Sequence, residues 1–545
     1  MKKSKIITIS IILASLLLSM FVLFTPIPNS EDESVFNTKI AIEHIAEISR
    51  EPHSVFDPVA HEDVRLYLKE QLEEYVGASN VTEYHYDSSE FEDSDGNPIE
   101  YDIDNLLAVI PGNSDTAILI VAHYDSRGHI GRTGELGNSY GAADDGYGLA
   151  VLLEIARLYG DRDLENTIYI LMTDGEETGL FGASKAAEEP FMDNVGFVIN
   201  IEARGVKGPA YMFETSVNND KVIDFYKNAD LEVSYSLATA VYTVMPNSTD
   251  FTEFLAVDKQ GVNFAVLNGL FNYHTPYDNL TYINPSSIEH YGVQIIPMIE
   301  EFTTNEIYSD VEYFVGDSNQ VFFTFLPGIF ISYGEGFGTV LHILFFVVLL
   351  VFMGFVVYKK QTTITHILKA LGISFGLIVV AVIDGSIVAR IIAFISKVPY
   401  NLTYVRTSIG DIPSLLTLVC LFLGSLYLYN SFVKSKEMKI ALIGVGAFIN
   451  LLLAVVTGLV LSGASFLFLI PGFSGIILVA MMTVCRSNKV KKVLVGIIIF
   501  INILIITPIL YSLYLALTIG GLLALGAILV FYIFVLVPAI TISNE

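Results

Sequence analysis

Beyond Thr339 the chain consists of long apolar stretches. Only a helix can carry such a stretch through a bilayer, because each backbone N–H and C=O must find its partner within the segment. Seven stretches lie near residues 339–358, 367–389, 413–432, 440–461, 465–484, 493–510 and 514–538, each close to the roughly 20 residues a spanning helix needs. An eighth, residues 6–24, follows Lys2, Lys3 and Lys5. It is longer than a signal-peptide core and no small-x-small site follows it, so it reads as an uncleaved anchor. The last two stretches are nearly continuous, with Pro508 and the Gly520-Gly521 pair as hinge candidates. The run at 321–333, V-F-F-T-F-L-P-G-I-F-I-S-Y, is too short to span and reads as a strand or an interfacial segment. Asp384 and Arg390 fall in or at the edge of the third span, where charge is costly. They are expected to pair about one and a half turns apart, or Arg390 to reach the interface.

Charge divides the chain as sharply as hydropathy does. Residues 26–336 hold 54 Asp and Glu against 14 Lys and Arg, a balance of −40, and the remainder holds 4 against 16. Phosphates would be repelled by such a body, which excludes nucleic acid as a partner; the bilayer is the partner of the apolar part. Lys359, Lys360 and Lys369, then Lys434, Lys436 and Lys439, then Arg486, Lys489, Lys491 and Lys492 occupy alternate loops and share a side with the N-terminal lysines. The positive-inside rule places that side, and both termini, in the cytoplasm, with the acidic body outside. The expected organisation is an anchor at 1–25, an extracytoplasmic domain at 26–336 and a transmembrane domain of about seven helices at 337–545. Isoleucine- and lysine-rich usage suggests a bacterial cell membrane. Both cysteines, Cys420 and Cys485, lie in the apolar part, so the acidic body has no disulfide.

Within that body, apolar positions at helical spacing run through 35–76, followed by an acidic, turn-rich stretch at 84–101 that reads as a hairpin tip or loop. Strand-like runs at 105–112, 117–122, 167–172, 197–201 and 262–267 alternate with helical patterns at 146–159, 179–188, 218–229 and 286–302. The fold class is therefore α/β, a mixed and largely parallel sheet flanked by helices, joined to an all-α multi-span domain. Ligands of such sheets gather at the carboxyl ends of the strands.

Metal-ligand residue types stand on five short motifs of this body, those at His123, Glu176/Glu177 and Glu202 just where a strand gives way to a loop. They are His123 in A-H-Y-D, Asp144 in G-A-A-D-D-G, Glu177 in D-G-E-E-T-G, Glu202 in N-I-E-A-R-G and His274 in Y-H-T-P-Y-D-N, with Glu176 beside them as a further carboxylate. Two imidazoles, three carboxylates and a spare one are what a pair of zinc ions and an activated water require. Asp125 is two residues from His123 and can accept the imidazole's second N–H, fixing its tautomer. Asp144 opens a helix through a glycine-rich turn, where it could cap the helix or bridge two cations. Glu176 and Glu177 are neighbours and cannot point the same way, so one can hold metal while the other faces water. Clustered carboxylates repel and raise one another's pKa; two divalent cations remove that conflict.

These motifs together resemble the co-catalytic di-zinc exopeptidases of metallopeptidase family twenty-eight, over residues 105–280. N-I-E-A-R-G, P-N-S-T-D-F-T-E-F and Y-H-T-P-Y-D-N, with helices following the domain, are similar to its vacuolar and endoplasmic-reticulum membrane branch. The resemblance implies two zinc ions per chain and a peptide substrate. It makes Asp144 the bridging ligand, with His123 and Glu202 completing one site and Glu177 and His274 the other. It makes Asp125 the partner that orients His123 and Glu176 the general base, and a cis Asp144–Asp145 peptide goes with it. Asp250 would support the site without binding metal; Tyr242, His129 and Arg132 are further candidates for contact with substrate. The expected function is a membrane-anchored zinc aminopeptidase. The competing readings are a single-zinc glutaminyl cyclase, a non-catalytic receptor or complex subunit on the same scaffold, and a transporter with an appended peptidase-like domain.

Overall fold

A computed structural model describes residues 2–544 except 94–95, 129–137, 244, 246, 403–404 and 406. The chain divides into two compact units, Phe24–Gln320 and a second made of Met1–Leu23 with Val321–Glu545.

Among the described residues, seven strands of the first unit form one mixed sheet. They are β1 (Val81–Tyr86), β2 (Ile103–Ile110), β3 (Gly112–His123), β4 (Leu164–Thr173), β5 (Val195–Ala203), β6 (Lys207–Thr215) and β7 (Gly261–Asn268). Their order is β1-β2-β4-β3-β5-β7-β6. β4, β3, β5 and β7 run parallel, and the antiparallel β1–β2 pair and β6 close the two edges. The parallel centre explains the unbroken apolar runs in the sequence, because a strand covered by helices on both faces has no solvent side to mark with polar residues. Leu119 and Val121 of β3 face Ala183 and Ala186 of one helix and Phe251 and Phe254 of another. The opposite face takes the helix Gly146–Tyr159. Its approach is so close that a Cβ on Gly148 would meet the Ala122 Cβ at 2.8 Å, which is why this helix opens with G-Y-G.

The helical spacing at 35–76 resolves into two helices, Thr38–Ile48 and Pro58–Val76. The stretch expected as a hairpin tip or loop connects the antiparallel strands β1 and β2, which pair Tyr86 with Ile103, and its first three residues belong to β1. The helix expected at 179–188 is broken. A first turn, Glu176–Gly179, ends at Leu180 with φ +59°, and Phe181–Ala186 follows. The Phe181 ring folds back under Gly179, whose Cβ would lie 2.7 Å from it.

In the second unit, eight helices are long and apolar enough to cross a membrane among the described residues: Lys5–Leu23, Glu335–Tyr358, Ile364–Ser396, Asp411–Phe432, Lys436–Val460, Phe466–Thr483, Asn488–Leu517 and Ile519–Ser543. The break between the last two falls at the Gly520-Gly521 hinge, and Pro508 lies inside a continuous helix. Small residues let these helices approach. A Cβ on Gly475 would meet Ala447 at 2.6 Å, and one on Gly385 would meet the backbone of Leu522 at 2.8 Å. The run at 321–333 forms a hairpin, Gln320–Leu326 with Ile329–Gly334, turning at Pro327-Gly328. Asp384 and Arg390 do not pair. Arg390 donates to Ser386 on its own helix and lies 4.3 Å over the Tyr400 ring, because a helical separation of six residues sets the two side chains on different faces.

Candidate metal centre

The parallel strands end together, so their last residues and the loops after them converge. His123 is the final residue of β3 and Glu202 the penultimate residue of β5. Glu176 and Glu177 begin the turn after β4. Asp144 immediately precedes Asp145, the residue that caps the helix Gly146–Tyr159 by accepting the Gly148 amide at 3.1 Å. Capping thus falls to Asp145, which leaves Asp144 turned into the site. The peptide between them is cis. His274 lies in the loop after β7, at φ +57°.

Among the described residues two triads result, and they share Asp144. In His123–Asp144–Glu202 and in Asp144–Glu177–His274, the potential ligand atoms lie within 4.8 Å of one another. His123 Nε2 is 3.4 Å from Asp144 Oδ1 and 3.8 Å from Glu202 Oε2. His274 Nε2 is 3.2 Å from Asp144 Oδ2 and 3.1 Å from Glu177 Oε1. These approaches do not satisfy the atoms involved. His123 Nε2, Asp144 Oδ2 and Glu177 Oε1 are buried without a hydrogen bond, a costly arrangement that a divalent cation in each triad would relieve. A nitrogen and two carboxylate oxygens per triad is a donor set suited to zinc.

The electrostatics point the same way. Burial opposes the protonated imidazole of His123, but the carboxylates of Asp125 and Asp144, then Glu176 and Glu202, overturn it and hold its pKa well above the usual range. His274 is raised by Glu177 and Asp144 against the same opposition. Burial pushes the Glu176 carboxyl well up, helped by the charges of Glu202, Glu177 and Asp250. Burial likewise raises Glu202 and Asp145. The field at this point of the fold favours added positive charge.

Asp125 is fully buried beside His123, as the resemblance implied. Its backbone carbonyl lies 2.9 Å from His123 Nδ1, inside its carboxylate at 3.5 Å. The carboxylate also accepts the amides of Glu176 at 3.0 Å and Glu177 at 3.1 Å.

Three contributors were not singled out in the sequence. Asp278 accepts the amides of Ala143 at 2.8 Å and Asp144 at 3.2 Å. Its place four residues after His274 in Y-H-T-P-Y-D-N was the available signal. Arg127 pairs with Glu177 Oε2 at 3.0 Å. Asn200 donates to Glu202 Oε1 at 3.2 Å. Asp250 is buried, accepts from the Thr173 hydroxyl and joins neither triad; burial raises its pKa to about 7. Tyr242 ends a helix and packs its ring on Phe213 at 5.0 Å. His129 and Arg132 lie outside the described residues.

The model for Peptidase family M28 matches residues 105–299. The vacuolar membrane protease of Candida albicans is 30% identical over 263 residues, covering 46% of this chain and 29% of that protein. Endoplasmic reticulum metallopeptidase 1 of Mus musculus is 25% identical over 300 residues, covering 53% and 32%. The chain spans less than a third of the length of these relatives. Among solved structures, a Zn-dependent exopeptidase from Parabacteroides distasonis aligns at 19% identity and TM-score 0.39, covering 50% of this chain and 99% of that one. A glutaminyl cyclase from Porphyromonas gingivalis aligns at 18% identity and TM-score 0.39, covering 49% and 99%. Residues 105–299 are thus similar to Peptidase family M28, in a chain whose described residues include eight helices long and apolar enough to cross a membrane.

Proposed function

We propose that the chain is a membrane-anchored exopeptidase, an aminopeptidase that binds two zinc ions and works on the non-cytoplasmic side of its membrane. That side is the exterior of a bacterial cell and the lumen of a eukaryotic endomembrane compartment. The observation that carries the reading is the pair of triads sharing Asp144, each with buried atoms left without hydrogen bonds. His123, Asp144 and Glu202 would hold one ion, and Asp144, Glu177 and His274 the other. When bound, zinc supplies Lewis acidity that lowers the pKa of water and polarises the scissile carbonyl. Glu176 stands beside both triads and belongs to neither. Its carboxylate takes the proton of the attacking water and delivers it to the leaving amine nitrogen. Asp125 holds Glu176 and Glu177 in place through their amides. A domain of net charge −40 draws the cationic amino end of a peptide and repels its carboxylate end, which supports amino-terminal release. The basic loops on alternate sides of the spans support the orientation.

The test is zinc content and amino-acid release from short peptides for wild type beside Glu176→Gln. Two zincs in both, with release lost by at least about a hundredfold in the variant, is the expected result. One zinc with cyclisation of amino-terminal glutamine would replace the reading with a glutaminyl cyclase. No zinc and no turnover would leave a receptor or subunit.

A further inference from the structure

The carboxylate of Glu202 is the end of a hydrogen-bonded row that crosses three strands. Asn200 lies two residues earlier on β5, on the same face. Its Nδ2 donates to Glu202 Oε1 at 3.2 Å and to Asn263 Oδ1 at 3.1 Å. Asn263 is its register partner on β7, and its own Nδ2 donates to Glu214 Oε2 at 3.0 Å and to the Thr249 hydroxyl at 2.9 Å. Glu214, on β6, is in turn the register partner of Asn263. Both asparagines are fully buried.

The atoms of the row admit one orientation. Turning the Asn200 amide over would set its oxygen against the Glu202 carboxylate and the Asn263 carbonyl, three acceptors with no donor between them. Turning Asn263 over would set its oxygen against the Glu214 carboxylate and its Nδ2 against that of Asn200. The observed arrangement leaves Asn200 Oδ1 buried with no partner, so the fold accepts one orphaned oxygen to keep the amide pointing at Glu202. The two triads are also supported in different ways. Glu177 receives a guanidinium from Arg127, whereas Glu202 receives a neutral amide, which steers one oxygen without offsetting the carboxylate's charge.

We infer that Asn200, backed by Asn263 and Glu214, is a positioning residue that makes Glu202 a one-oxygen ligand, occupying Oε1 and leaving Oε2 for the cation shared with His123. This rests on the two-zinc reading above. The row acts on one of the two sites, because nothing in it touches Glu177 or His274.

The experiment is stepwise Zn²⁺ binding to the metal-free full-length protein in detergent, followed by calorimetry, for wild type, Asn200→Leu and Asn263→Leu. Wild type binds in two steps. Asn200→Leu weakens one step by about 10- to 100-fold and leaves the other in place. Asn263→Leu, which cuts the row one link further away, weakens the same step by a smaller factor and carries the test if Asn200→Leu does not fold. Two wild-type steps with neither step altered in the folded variants would overturn this inference alone, as would equal weakening of both. A wild type that takes up fewer than two zincs would overturn the two-zinc reading, and this inference with it.

Discussion

Asp278 holds Asp144 by its backbone. The Asp278 carboxylate, with none of its surface exposed, accepts the Asp144 amide at 3.2 Å and the Ala143 amide at 2.8 Å. The same loop supplies His274. One short segment thus provides a residue of one triad and fixes the residue that both triads share.

Asp278→Ala removes the acceptor of two buried amides. Each amide left unsatisfied costs about 1–3 kcal/mol, so the metal-free domain loses stability in urea titration. Because Asp144 belongs to both triads, both zinc-binding steps weaken. Loss confined to one step would show that Asp144 is not shared.

Asp125→Asn retains one good acceptor where the carboxylate offered two, so either the Glu176 or the Glu177 amide loses its partner. The backbone carbonyl that meets His123 Nδ1 is untouched. Turnover therefore falls by roughly 10- to 100-fold, while the tighter zinc step keeps its affinity within about threefold. A large loss of zinc with normal turnover per bound pair would contradict this role.

His290 makes stability depend on pH. It is fully buried, its Nδ1 accepts the Ala210 amide at 3.1 Å and the Gln294 side-chain amide at 2.9 Å, and burial lowers its pKa to about 3. The unfolded chain takes up this proton near pH 6.5 and the folded chain does not. The stability present above pH 6.5 is therefore lost as pH falls toward 3, at about 1.4 kcal/mol per pH unit. Asn at position 290 can accept the same amides without titrating. Between pH 6 and 4, metal-free wild type should lose stability relative to His290→Asn; parallel curves would refute the assignment.

Much of this was legible in the sequence because of where the residues lie. β3, β4, β5 and β7 are covered on both faces, so their apolar runs stood out, and the helix Gly146–Tyr159 was readable to its ends. The spanning helices announced themselves by length and hydropathy. β6 did not, since it is an edge strand that opens K-G-P, and Gly and Pro both read against a strand. The helices Ser236–Tyr242 and Asp250–Ala256 are two turns each and too short to show a period. Within the site, the strand ends could be read one by one, but the clamps join residues far apart in the chain. Asp125 is 51 residues from Glu176, Asp278 is 134 from Asp144 and Asn200 is 63 from Asn263. Pairing across such distances is set by strand order, which no local pattern encodes.

On this reading Asp144 joins two metal positions. Anomalous diffraction at the zinc edge from crystals of the zinc-loaded protein tests it most directly. Two peaks are expected, one beside His123 and Glu202, the other beside Glu177 and His274, both in contact with Asp144. A single peak, or a second one away from Asp144, would contradict it.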